Sequence, residues 1–374
     1  MKPNIVIITN LAFTKRDHKR FGISILRKRF NVFIFDFTKN FSKKLANYKY
    51  SQKTYKCKGY YSISSLSSFI NLVDKHDFSN CINYIFDKKL ETGLLKIFRR
   101  NKVPIVKIQT GLVIGSQYPR TFIQNLHMLS FKFTDRKRFI TFVCNQFKKI
   151  KNKFSKVDNF KYDKVIVTGK IGLQDKSIGV NTKIIYAHSF DYNNYLESNK
   201  NPRFINKKNY AVFLDQYLPM HPDAPTFFGV SPRCTPEKYY PALNNFFEAF
   251  EKNFGMKVVV CAHPKSDYEN NYKFLYGRKF VKNKTVALVK NSKLVFAHGS
   301  TTIAYAILYK KPLVFLLSDE YLRSFDNYTP AIIAKKLNSP CFNIDDKNNY
   351  SKIRDTSLFK IDKKKYKIYM DNYI

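Results

Sequence analysis

Acidic residues are scarce in this chain: 27 Asp and Glu stand against 67 Lys and Arg, a formal charge of +40 over 374 residues. A field of that sign attracts polyanions, whether nucleic acid, anionic lipid, or acidic sugars and their nucleotide donors. The excess is uneven: residues 1–200 hold 39 basic and 12 acidic side chains, residues 201–374 hold 28 and 15. Abundant Lys, Asn, Ile, Tyr and Phe are also what AT-rich coding DNA produces, but that drift explains the shortage of acids less readily. The six cysteines (Cys57, Cys81, Cys144, Cys234, Cys261, Cys341) include no CxxC pair, which speaks against a zinc site or disulfide framework and fits a reducing cytoplasm. No apolar run approaches the roughly 18–20 residues that span a bilayer. The apolar stretch at residues 4–10 is too short for a signal peptide and reads as a first buried strand. P-loop and G-x-G-x-x-G fingerprints are missing, as are internal repeats. Without an RNP motif, zinc knuckle or helix-turn-helix, nucleic acid is not an expected partner.

What is present is a globular composition, 44% hydrophobic, long enough for two domains. Apolar strand-like segments at residues 4–10, 31–37, 82–87, 104–109, 164–169 and 183–188 alternate with helical stretches, the first at 17–29. After a polar segment the pattern restarts with strands at 210–215, 257–262, 294–297 and 312–317 and helices at 236–254 and 301–309. Such alternation predicts α/β units with parallel, doubly wound sheets. The expected division is an N-terminal Rossmann-like acceptor-binding domain over 1–195, a linker over 196–209, a C-terminal Rossmann-like nucleotide-sugar domain over 210–345, and a helical tail over 346–374.

Two segments carry the chemistry. Val258-Val259-Val260-Cys261-Ala262 runs into His263-Pro264-Lys265, and Leu294-Val295-Phe296-Ala297 runs into His298-Gly299-Ser300-Thr301-Thr302. Each is a buried strand that stops at a histidine followed by Pro or Gly. Open α/β sheets bind ligands beyond such carboxyl ends, where a following helix aims N–H groups at an anion. His263 can donate to a phosphate oxygen or sit as an inert strand-end residue. Gly299 permits close approach, while Ser300 and Thr301 offer hydroxyls as caps or phosphate ligands. Asp215 ends another strand, placed either to accept a proton from an acceptor hydroxyl or to close an Asx-turn. Asp223 is a weaker alternative. Between Lys132 and Lys156, nine basic residues accompany one acid, Asp135, with Phe139, Val143, Phe147, Ile150 and Phe154 at helical spacing. That segment suits either an anionic membrane surface or a helix packed on the sheet.

The order of these motifs (Phe213-Leu214-Asp215, then His263-Pro264, then His298-Gly299-Ser300-Thr301) resembles bacterial sialyltransferase-like and Kdo-transferase-like enzymes. Those are GT-B glycosyltransferases, with two Rossmann-like domains facing each other across a cleft, that use CMP-activated nonulosonic or ulosonic acids to build surface polysaccharides. The resemblance covers mainly residues 210–317. It implies that Asp215 is the general base and that His263 stabilises the departing CMP phosphate. It further implies that Ser300 and Thr301 hold that phosphate, within a site that includes Pro264, Lys265, His298 and Gly299. It implies no cofactor and no catalytic metal, in keeping with the missing Asp-x-Asp motif. The expected partners are a CMP-linked acidic sugar and a glycan or lipid-linked glycan acceptor, with peripheral contact to the anionic inner membrane through residues 132–156. The family's acidic motif usually pairs two acids before Gly, whereas Asp215 precedes Gln216-Tyr217. This departure leaves sialic acid, Kdo, pseudaminic acid and legionaminic acid open. A CDP-glycerol or CDP-ribitol polyol-phosphate transferase, a UDP-sugar transferase or 2-epimerase, and a non-enzymatic polyanion binder are the alternatives.

Overall fold

The computed structural model describes residues 1–38, 54–85, 88–109, 140, 143, 160–200, 209–222, 232, 234–322 and 329–374. The strands form two separate sheets. The first contains β1 (Asn4–Thr9), β2 (Asn31–Asp36), β3 (Tyr60–Ser62), β4 (Phe78–Tyr84), β5 (Ile105–Ile108), β6 (Lys164–Thr168) and β7 (Lys183–Ala187), in the order β3-β2-β1-β4-β5-β6-β7. The second contains β8 (Tyr210–Leu214), β9 (Lys257–Ala262), β10 (Phe280–Lys282), β11 (Leu294–Ala297), β12 (Leu313–Leu317) and β13 (Cys341–Asn343), in the order β10-β9-β8-β11-β12-β13. All neighbours pair in parallel. Counted within each half, the second sheet runs 3-2-1-4-5-6, the Rossmann order, and the first runs the same order with a seventh strand added, so the expected doubly wound α/β fold class is present twice. The strand order reverses between β1 and β4 in one sheet and between β8 and β11 in the other, and such points are where α/β sheets bind ligands.

Burial explains the strand sequences. Every residue of β8 and β11 is buried, and strands covered on both faces read as continuous apolar runs. The edge strands β3, β10 and β13 were not legible in the sequence. Each has only three residues and a polar member: Ser62, Lys282 or Asn343. The single helix expected at 17–29 is two helices, Lys15–Arg20 and Ile23–Leu26, parted at Gly22, whose φ of +60° lies in the left-handed region.

The chain divides into one unit of Met1–Thr110 with Lys156–Phe190 and a second whose described part runs from Asp191 to Ile374. The boundary expected after residue 195 falls within the helix Phe190–Lys200. The helix Phe190–Lys200 carries its polar face to the second unit, where Tyr305 Oη donates to Asp191 (2.7 Å) and Asn194 donates to Tyr305 Oη (3.1 Å). The expected linker, 196–209, therefore starts as helix, and residues 201–208 lie outside the described part. The C-terminal tail ends in the helix Lys363–Tyr373, which is docked on the second unit: Tyr366 Oη donates to the Lys311 carbonyl (2.9 Å) and Tyr366, Tyr369 and Tyr373 are buried.

The second core forms around the helix Pro236–Phe254, which starts with Pro at its first turn and stops at Gly255 (φ +59°). Tyr239, Leu243, Phe246, Phe247 and Phe250 fall on one face at helical spacing and are all buried. Phe246, Phe247 and Phe250 each meet the Phe296 ring of β11, with centroids 5.8, 5.5 and 4.9 Å away. Burying one such ring contributes about 2–3 kcal/mol, so this helix is fixed on the strands that carry the site. No helix among the described residues is long and apolar enough to cross a membrane. The basic segment 132–156 lies outside the described residues except for Ile140 and Val143.

Candidate active site

The carboxyl ends of β8, β9 and β11 are level. Leu214 pairs with Ala297 on one side and with Cys261 on the other. The residues that follow, Asp215, His263 and His298, therefore leave the sheet at nearly the same height. The second sheet's switch point thus brings together all three motifs singled out from the sequence.

Asp215 is 6% exposed and its carboxylate is enclosed by donors. Oδ1 accepts the N–H of Tyr217 (2.8 Å), closing an Asx-turn, and Tyr217 takes φ +55°. Oδ2 accepts the Tyr268 hydroxyl (3.0 Å). Backbone N–H groups of His263 and Gln216 also face it. Burial pushes the carboxyl pKa up to about 6, against the opposing pull of Tyr217 and Tyr268. No ion pair involves Asp215 among the described residues. This carboxylate is enclosed by its own loop, and Asp215 ties the loop after β8 to the loop after β9. Gln216 makes the matching tie on the other side, where its Oε1 accepts the N–H of Gly299 (3.1 Å).

His263 opens a tight turn in which Pro264 takes the second position and the Ser266 N–H donates to the His263 carbonyl (2.9 Å). The His263 ring is half-buried, as are Pro264 and Lys265. Its Nδ1 accepts the N–H of Lys265 (3.2 Å), which places the proton of the neutral ring on Nε2. The rings of His221 and His263 lie 4.6 Å apart at 56°. Ser266 Oγ, in the same turn, is buried and has no hydrogen-bond partner among the described residues.

His298, expected as a ligand contact, is wholly buried. Nδ1 donates to the Leu316 carbonyl (2.7 Å), so Nε2 accepts the Tyr239 hydroxyl (2.7 Å). With both nitrogens used and Phe213, Tyr239 and Tyr321 packed around the ring, the residue fixes the start of the loop after β11. Gly299 is required by space: a Cβ there would stand 3.0 Å from Thr329 Cγ2. Ser300 Oγ accepts the N–H (3.3 Å) and hydroxyl (2.9 Å) of Thr302, which stands just before the short helix Ile303–Leu308. Ser300 and Thr301 are half-buried, and among the described residues their own N–H groups bind no acceptor.

The sequence did not reveal the groups that hold this edge from behind. Tyr239 and Tyr240 are neighbours on the helix Pro236–Phe254. Tyr239 reaches His298, and Tyr240 lies 3.1 Å from the Tyr268 hydroxyl that serves Asp215. Because Tyr268 gives its proton to Asp215, Tyr240 is the donor in that pair. One helical turn thus steadies two strand ends. Adjacent tyrosines carry no spacing signal, and nothing in the sequence pairs them with a histidine 59 positions later. Asp223 lies outside the described residues. Among those described, no group of three or more His, Cys, Asp or Glu is placed to hold a metal ion.

No protein-family profile matches the chain, and no curated protein sequence matches it. Solved structures do align over its length. The UDP-GlcNAc 2-epimerase of Methanocaldococcus jannaschii is 11% identical, covering 98% of each chain with a TM-score of 0.49. The calicheamicin glycosyltransferase CalG4 is 11% identical over 99% of this chain and 93% of its own, with a TM-score of 0.48. MurG of Acinetobacter baumannii is 9% identical over 99% and 94%, with a TM-score of 0.45. The strand order and the three joined strand ends themselves establish a chain of two doubly wound α/β units, the second with its motifs gathered at the switch point.

Proposed function

We propose that this chain is an inverting glycosyltransferase whose nucleotide-sugar donor places its phosphate at the carboxyl edge of the second sheet. The observation that carries this reading is the level meeting of β8, β9 and β11. There a half-buried His263, whose neutral ring carries its proton on Nε2, shares one rim with the hydroxyls of Ser300 and Thr301 and with the N–H groups of those two residues, which bind no acceptor among the described residues. As the bond between the sugar's anomeric carbon and the phosphate oxygen breaks, negative charge collects on that oxygen. Donors already held in place stabilise the charge without reorganising, and Lys265 adds a positive charge beside His263. The acceptor hydroxyl attacks from the opposite face, which inverts the anomeric centre. Asp215 acts through the two loops it joins and leaves the acceptor's proton to a group elsewhere.

The finer reading is a CMP-linked acidic sugar passed to a surface glycan. It rests on the motif order across residues 210–317 and on a +40 chain that attracts acidic donors. Peripheral contact with an anionic membrane through residues 132–156 completes it. A second reading, a UDP- or CDP-linked donor, is favoured by the sealing of Asp215, which removes one of the three motifs that tie the chain to CMP-sugar enzymes.

The test is a thermal-shift panel with CMP, CDP, UMP, UDP and GDP at moderate salt. A nucleotide at 100 times its dissociation constant stabilises by about 2.7 kcal/mol, a rise of a few degrees in melting temperature. A shift with CMP above the others supports the acidic-sugar reading, and a preference for UDP or CDP replaces it with the second. If none of the five shifts the transition, the transferase reading fails.

A further inference from the structure

We infer that Arg20, with Arg16 one helical turn before it, binds an oxyanion at the switch point of the first sheet; this goes beyond the donor-site reading and does not depend on it. The strand order reverses there between β1 and β4, whose last residues, Thr9 and Tyr84, are paired. Side chains at the strand ends themselves pair with one another, as Asp36 does with Tyr60. The helix Lys15–Arg20 follows β1 beyond those pairs and carries Arg20 to the end of β4. One guanidinium N–H donates to the Tyr84 hydroxyl (3.2 Å), and the guanidinium carbon stands 4.8 Å from the centre of the Phe190 ring. A cation over an aromatic ring is ordinary packing in this chain and by itself marks no site.

Two features point beyond packing. The first is what Arg20 lacks. Of the three half-buried arginines among the described residues, Arg278 meets Asn244 and the Glu251 carboxylate, and Arg27 donates to the Lys58 carbonyl. Arg20 has only the phenolic oxygen of Tyr84. Most of its N–H donors are therefore without an acceptor, and its charge is without a counter-ion, among the described residues. Partly buried cations are normally paired. The one acid in this helix, Asp17, serves as its cap instead, taking the N–H and hydroxyl of Thr14 (3.0 and 2.6 Å).

The second feature is repulsion. Arg16 and Arg20 stand four positions apart on one helical face, a spacing at which like charges destabilise a helix. Arg16 is exposed, and among the described residues its side chain forms no ion pair. Both arginines act on the same point: burial and Asp17 push the pKa of the Tyr84 hydroxyl up, while Arg20 and Arg16 pull against that rise. Two cations converging on one spot, one of them stacked in place, are relieved by an anion lying between them. A planar guanidinium fork meets the oxygens of a carboxylate or a phosphate in pairs. The ligand class is therefore a small molecule or glycan unit bearing one of those two oxyanions.

The experiment titrates the full chain with inorganic phosphate and with glucuronate, by calorimetry at fixed ionic strength. At least one of the two is expected to bind, and which one binds identifies the oxyanion. Arg20→Gln is expected to weaken that binding about tenfold or more, and Arg16→Gln about threefold or more. Neither is expected to lower the melting temperature of the free protein, since each relieves a like-charge pair. Arg29→Gln removes the same charge from an exposed position outside the site and is expected to leave binding unchanged. Equal weakening by Arg29→Gln assigns the binding to the field of the whole +40 chain and overturns the inference, as does a wild type that binds neither probe. Because phosphate also suits the donor edge, the titrations are repeated in His263→Ala. Binding that survives His263→Ala and is lost in Arg20→Gln belongs to the first sheet. The reverse pattern overturns this inference and leaves the donor-site reading in place.

Discussion

The two sheets share one strand order but spend their polar groups differently. In the first, the groups near the carboxyl edge are consumed by one another. Asn83 donates to Glu91 and to the Tyr162 hydroxyl (both 2.7 Å), and Lys107 pairs with Asp175 at 2.7 Å. Gln109 donates to the Gly172 carbonyl (2.7 Å), and Asp36 takes the Thr38 N–H and the Tyr60 hydroxyl. In the second sheet, Asp215 and Tyr268 repeat the Asp36 and Tyr60 device, an Asx-turn with a tyrosine on the far oxygen. Beside it, though, His263, Ser300 and Thr301 stay half-buried at the rim. Equal topology therefore does not make equal sites: the difference lies in which polar groups the fold places at the rim.

The largest expected effect sets one edge against the other. His263→Ala should lower turnover by about 10²–10⁴-fold, the usual worth of a positioned proton donor, whereas Lys107→Met should leave turnover per folded molecule within about twofold. Steady-state kinetics with the best donor measures both, and equal losses would erase the contrast drawn here.

The next effect separates the carboxylates by pH. Asp215 is raised from 3.8 to about 6 by burial. Its ionisation therefore works against the fold: the stability it contributes is full below about pH 4 and is lost as pH climbs through 6, by about 3 kcal/mol at 1.36 kcal/mol per unit. Asp175 behaves oppositely. Burial alone would raise it, but hydrogen bonds from Lys107 and Ser177 prevail and hold it at about 2. Its contribution is present above about pH 4 and is lost as pH falls toward 2, by about 1 kcal/mol once solvent screening is allowed for. Denaturant titrations of Asp215→Asn and Asp175→Asn against wild type, from pH 3 to 7, should show stability differences that slope in opposite directions. Parallel slopes would contradict the assigned environments.

The smallest effect concerns two glycines. At Gly172 an added Cβ would collide with the amide oxygen of Gln109, and at Gly299 it would crowd Thr329. Each Gly→Ala change should cost about 1–2 kcal/mol of stability. Only Gly299→Ala should also weaken nucleotide binding, because shifting this residue away from Thr329 moves the loop that presents Ser300 and Thr301. Melting curves with and without nucleotide distinguish the two.

Much of this was legible in the sequence, and the gaps have physical causes. β8, β9, β11 and β12 were readable because strands covered on both faces read as continuous apolar runs, broken in β9 only by the exposed Lys257 at its start, and each stops where the run stops. The three-residue edge strands were not, since so short a segment has no periodicity to show. His263 and His298 look alike as letters: each ends an apolar run and precedes a backbone-restricting or backbone-freeing residue. What separates them is a tyrosine hydroxyl from a distant helix and the Leu316 carbonyl, which seal His298 and leave His263 at the rim. The surroundings of Asp215 were illegible for a similar reason: its partner Tyr268 lies 53 residues away.

The shared strand order also bears on how the chain is made. In both sheets the central strand comes first in sequence, and its second neighbour arrives much later: Asn4 of β1 pairs with Phe78, and Ala211 of β8 pairs with Leu294. A chain emerging from the ribosome therefore carries each apolar centre strand half-covered until some 70–80 residues more have been synthesised. Loop closure over such spans slows folding and leaves sticky surface open meanwhile. The dense positive charge along the polypeptide, whatever it does for a ligand, keeps like chains apart during that interval.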